Sequence, residues 1–138
     1  MSSTLLLRLA GPLQAWGTDS KFEIRRTDHE PSKSGVVGML AAALGRRRND
    51  SLDDLNKLRF AVRVDQEGKI IKDFHMVNSK QSYLTMRYYI SDAVFVVGLE
   101  SDDDEFLKMI EKSLKSPIFP LYLGRKSCPP SLPLILGI

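Results

Sequence analysis

Cations and hydrogen-bonding side chains, more than nucleophiles or metal ligands, are the chemistry-bearing residues of this 138-residue chain. In LGRKSCPP, Arg125 and Lys126 stand between a glycine and paired prolines, so two positive charges fall where the backbone should leave regular structure and stiffen. In PSKSGVVG, Lys33, Ser34 and Gly35 occupy a predicted helix start, where backbone N–H groups and the helix dipole favour an anion. GPLQAWG contributes Gln14 and the only tryptophan, Trp16: an amide that can bond and a ring that can stack on a base or fill a core.

Other chemistries find little support. The Walker A order G-x-x-x-x-G-K-[ST] is absent, which removes the usual basis for nucleotide hydrolysis. Gly35 to Gly38 spell G-x-x-G, but two valines fill a middle that a KH clamp needs polar, so Gly38 reads as a close-packing residue. VFVVGL lacks the RNP1 start and offers one aromatic, Phe95, against base reading by stacked sheet aromatics. His29 and His75 sit in no motif with a nucleophile. Asp102 to Asp104 suit a helix start better than a metal cage. The lone Cys128 reads as a small buried apolar residue.

The elements that must position the cations follow from pattern. With 43% hydrophobic and 27% charged residues, the chain suits one domain spanning 1–138. No run approaches the roughly 20 apolar residues of a membrane span, and the early apolar run is too short for a signal peptide, so a cytoplasmic setting is expected. The net charge is +3, with cations gathered at Arg25-Arg26, Arg46 to Arg48 and Arg125-Lys126, and acids crowded between Glu100 and Glu105. That asymmetry points toward a polyanion, though a charge run is also an ordinary solvated face.

Leu5 to Leu9 form a nearly continuous apolar run, as in a central strand. Residues 11–31 show no helical period. A helix should begin with Ser32 or Ser34 as cap, carry a stripe of Val36, Val37, Leu40, Ala41 and Leu44, and close at Gly45, with Arg46 to Arg48 at its negative end. Ser51 with Asp54 resembles a capping box opening a short second helix. FAVRVD alternates and is predicted to turn at Gln66 to Gly68 into KIIKDFHMV as a hairpin. Ala93 to Leu99 is the strongest strand signal. A helix follows, capped by Ser101 or an aspartate, with Phe106, Ile110 and Leu114 spaced by four and Pro117 as its stop. A last strand is placed at Pro120 to Leu123, leaving the apolar tail LPLILGI to pair or pack elsewhere. The order predicts an α+β, ferredoxin-like βαββαβ domain.

LLLRLAGPLQAWG, a basic arm ending in RRT, PSKSGVVGMLAAALGRRR, RYYISDAVFVV and PLYLGRKSCPPSLPL, in that order, resemble the CasD family of CRISPR Cascade subunits, subtype I-E of the Cas-five proteins. The resemblance runs nearly end to end. It implies a RAMP (RRM-like) protein without catalytic activity, metal or cofactor. Such a protein grips the 5′ handle of the CRISPR guide RNA, caps the backbone beside the large subunit and the last backbone subunit, and meets target DNA only indirectly. Carried over, the implied RNA-binding positions are Gln14, Trp16, Arg26, Lys33, Ser34, Gly35, Arg87, Arg125 and Lys126. An alternative, metal-independent cleavage of precursor RNA, would need His75, Lys80 and Tyr83 as a cluster. The family pattern carries a fuller thumb than residues 78–83 supply and continues past the late loop, so a shortened thumb and further residues beyond Ile138 are expected.

Overall fold

The computed structural model describes residues 2–17, 24–25, 27–77, 83–131 and 133–138. Its main sheet joins β1 (Ser3–Ala10), β4 (Arg59–Gln66), β7 (Val94–Ser101) and β8 (Ile135–Gly137) in the order β4-β7-β1-β8, every neighbouring pair antiparallel. With α1 (Lys33–Leu44) after β1 and α3 (Asp104–Lys115) after β7, this is the ferredoxin-like split βαβ arrangement. β1 is central, but it alternates: Leu5, Leu7 and Leu9 are buried while Leu6 is exposed on the opposite face. The helices cover one face, where Val36, Val37, Met39, Leu40, Leu107, Ile110 and Leu114 meet those leucines with Phe95, Val97 and Leu99.

Local signals set the helix ends. The Ser32 hydroxyl accepts from the Gly35 N–H at 3.1 Å, and Gly45, at φ 75°, closes α1 with Arg46 N–H donating to Ala41 O. Asp103 caps α3 by accepting from the Phe106 N–H, and Asp104 and Glu105 complement the dipole. Asp102 bonds Arg59 instead. The short α2 (Asp53–Asn56) departs from the expected capping box: Leu52 is its N-cap residue, and Asp54 turns to Arg46.

Three strand expectations are corrected. β4 does not pair with β5 (Lys69–Val77); β4 lies on β7, while β5 pairs with β6 (Tyr83–Ser91) through nine residue pairs, from Lys69 opposite Ser91 to Val77 opposite Tyr83. Gly68 is a crossing point between sheets, since a Cβ there would stand 2.4 Å from Ile90 Cγ2 and Ser91 O. Residues Pro120 to Leu123 form no strand, and the fourth ferredoxin strand is the apolar tail, with Ile135 opposite Leu7 and Gly137 opposite Leu6. The tail thus finds its partner inside this chain. A second sheet consists of β5, β6, β2 (Leu13–Gln14), antiparallel to β6, and β3 (Ile24–Arg25), parallel to it.

Candidate functional site

The first loop is a structural joint. Gln14 and Trp16 are fully buried. The indole N–H donates to Gln14 Oε1 at 3.0 Å, and Gln14 Nε2 donates to Leu9 O at 3.2 Å and Ala93 O at 3.1 Å. A buried amide must satisfy both its donor and acceptor ends, and this one does so across β1, the β6–β7 turn and the tryptophan. The expectation that these two side chains meet RNA is therefore corrected: neither presents a surface for stacking or bonding.

Trp16 instead holds the other predicted segments in place. Its backbone N–H donates to Thr27 Oγ1 at 2.8 Å, and its carbonyl accepts from the Asp28 N–H at 2.8 Å, fastening the end of the basic arm. Its ring lies so close to Gly35 that a Cβ there would stand 2.7 Å from Cε3. Gly35, and not Gly38, is the close-packing glycine of α1; a Cβ at Gly38 would meet only Tyr122 Oη, at 3.7 Å. On the other side, Ala15 N–H donates to Leu123 O at 3.1 Å, and Gly124, at φ 89°, sits where a Cβ would fall 1.6 Å from Ala15 O.

The late loop is stitched shut, with Leu123 N–H donating to Cys128 O at 2.7 Å and Cys128 N–H to Arg125 O at 2.9 Å. Cys128 packs fully buried beneath it, and burial pushes its thiol pKa up. The two cations part. Arg125 is half-buried, donates to Tyr88 O at 3.0 Å and lies 5.0 Å from the Tyr89 ring centroid. Lys126 is exposed and faces α1.

Lys126 lines a cleft of about 760 Å³ with Arg46, Arg47 and Arg48, over an apolar floor that includes Ala42, Leu52, Phe119 and Tyr122. The segment after α3 builds this wall: Ile118 and Phe119 donate their N–H groups to Ala43 O and Ala42 O. Arg46 is spent internally, bonding Asp54 through both terminal nitrogens at 2.5 Å, which raises the Arg46 pKa and lowers that of Asp54. Asp50 Oδ2 accepts from the Arg47 N–H at 2.6 Å and clasps the turn. Arg47 and Arg48 remain as cleft cations; the sequence places them both at the negative end of α1 and in a cation cluster suited to a polyanion, but does not single them out as site residues.

The remaining candidates do not join this cleft. Lys33 donates to Asn56 O at 2.7 Å, and Ser34 is exposed beside it. Arg87, on β6 opposite Asp73 and Arg25, has a buried Nε with no hydrogen-bond partner among the described residues. Arg26 lies outside the described residues, as do Lys80 and the side chains of His75 and Tyr83. Among the described residues no group of three or more His, Cys, Asp or Glu could hold a metal ion. No helix there is long and apolar enough to cross a membrane.

Known proteins supply the context. The family described as CRISPR-associated protein (Cas_Cas5) matches residues 4–137. "CRISPR system Cascade subunit CasD" of Escherichia coli (strain K12) is 37% identical over 160 residues, covering 99% of this chain and 71% of the relative. Two solved structures are similar: a "Cas protein", 50% identical at a TM-score of 0.81 over 99% of this chain, and a chain of a "CRISPR RNA-guided surveillance complex", 38% identical at 0.89 over 98%. This chain spans 65% and 63% of the lengths of those two chains. With the family model matching residues 4–137 of the 138, the chain belongs to the Cas5 family of CRISPR-associated proteins.

Proposed function

We propose that this chain is a non-catalytic, RNA-holding subunit of a Cascade-type surveillance assembly, gripping the 5′ handle of the guide RNA beside the backbone and large subunits and meeting target DNA only through the assembly. The observation that carries the reading is the cleft: Arg47, Arg48 and Lys126 ring an apolar floor bearing Phe119 and Tyr122, the combination of backbone cations and stacking surfaces that single-stranded nucleic acid takes. A scaffold that holds a guide needs affinity for backbone and shape, because base pairing reads the target.

The test is equilibrium binding of single-stranded guide RNA across a salt series. Three cleft cations predict a log-log slope of about −2, at about 0.7 per neutralised phosphate. Absence of binding, or binding indifferent to salt, contradicts the reading. Incubation with precursor RNA, with and without EDTA, should leave it intact; specific cutting abolished by His75→Ala would overturn the non-catalytic part.

A further inference from the structure

We infer that Trp16 is a positioning residue that couples the start of α1 to the late loop, so that the placement of Lys126 depends on a contact made at Gly35. The inference rests on the RNA-holding reading only for its functional consequence. Trp16 touches both sides: its ring fills the space a Cβ at Gly35 would need, 2.7 Å from Cε3 and 2.9 Å from Cζ3, and its chain neighbour Ala15 carries the late loop through the bond to Leu123 O and the close approach of Gly124. The ring has no room to yield, being fully buried and fixed through its N–H to Gln14, whose own amide is fixed to Leu9 O and Ala93 O. Displacement at Gly35 therefore moves the backbone at residues 15–16, and the loop bearing Lys126 is hung on that backbone.

Gly35 lies in the first turn of α1, where alanine ordinarily favours a helix, so a loss on substitution has the opposite sign to the local propensity. The joint also explains why a buried glutamine and tryptophan stand in the first loop: they fix the separation between two segments that belong to no common sheet.

Hydrogen exchange on the full chain without RNA tests the coupling directly. In Gly35→Ala the amides of Ala15 and Leu123 should exchange about tenfold faster, on the order of a lost buried hydrogen bond, while Leu7 and Val97 in the main sheet keep wild-type rates. Trp16→Phe, which removes the benzo ring at Gly35 and the N–H to Gln14, should loosen the same two amides, and it serves where Gly35→Ala does not fold. Unchanged exchange at Ala15 and Leu123 in a folded variant overturns the coupling. With a short fluorescein-labelled single-stranded RNA as probe, Lys126→Ala should cost about tenfold in wild type and about twofold in the Gly35→Ala background, a non-additivity that general destabilisation does not produce. Additive losses overturn the inference while leaving the RNA-holding reading intact; faster exchange without RNA binding in wild type supports the joint and contradicts that reading.

Discussion

The loop after α1 and the loop after α3 both carry adjacent cations, and in each the first is anchored while the next faces the cleft. The anchors differ in physics. Arg46 is held by the Asp54 carboxylate, an ion pair whose partners are 20% and 47% exposed. Arg125 is held by a neutral carbonyl and an aromatic face, Tyr88 O and Tyr89. The Arg46–Asp54 pair is screened by salt and lost in acid, whereas the Arg125 contacts to Tyr88 O and the Tyr89 ring tie the late loop to β6. A basic run is thus not one uniform patch: one member fixes the geometry in which the others are presented.

The largest effect expected from this division falls on the presenting members. Arg47→Glu with Arg48→Glu and Lys126→Glu should lower RNA affinity by at least about a hundredfold at moderate salt while the urea midpoint stays close to wild type. A comparable affinity loss from Arg46→Ala with Asp54→Ala would erase the distinction between anchor and presenter. Next in size, Arg125→Ala should destabilise the protein by about 2 kcal/mol in urea unfolding, through loss of a charged hydrogen bond and a cation–π contact.

Asp54→Asn should cost less, about 0.5 kcal/mol, because the pair is partly exposed. Its sign with pH is set by the lowered Asp54 pKa: the folded carboxyl titrates below its ordinary 3.8, so the contribution is complete above that value and disappears as pH falls through the folded one. The wild-type advantage over Asp54→Asn should accordingly vanish in acid and shrink in high salt, and an advantage that survives both would assign the contact to packing. Smallest of all, Lys33→Ala should change the salt slope of RNA binding by no more than about 0.7, since its ammonium is already bonded to Asn56 O.

The helix ends were legible in the sequence because their causes are local. Ser32, Gly45 and Pro117 act on residues a turn away, and the structure uses each where expected or within a residue of it. The ferredoxin order was legible too, from the alternation of strand and helix. Pairing was not: FAVRVD and KIIKDFHMV both alternate, and nothing near Gly68 reveals that the two strands belong to different sheets. The fourth strand was misplaced because Pro120 to Leu123 and the tail are both apolar, and only the partner β1 distinguishes them. For the site, residue type located the late loop but not the direction of its side chains. Gln14 and Trp16 look like ligand-binding groups in one dimension, and their burial depends on Leu9, Ala93 and Gly35, which come from separate elements.

The cleft itself is tested most directly by photocrosslinking. With 4-thiouridine in a single-stranded guide RNA and peptide mapping by mass spectrometry, the crosslinks should fall on Phe119 and Tyr122, the aromatic residues lining the cleft. Crosslinks confined to the outer face of the main sheet, around Leu6, Arg8 and Arg63, with none at Phe119 or Tyr122, would contradict the assignment of the cleft as the RNA seat.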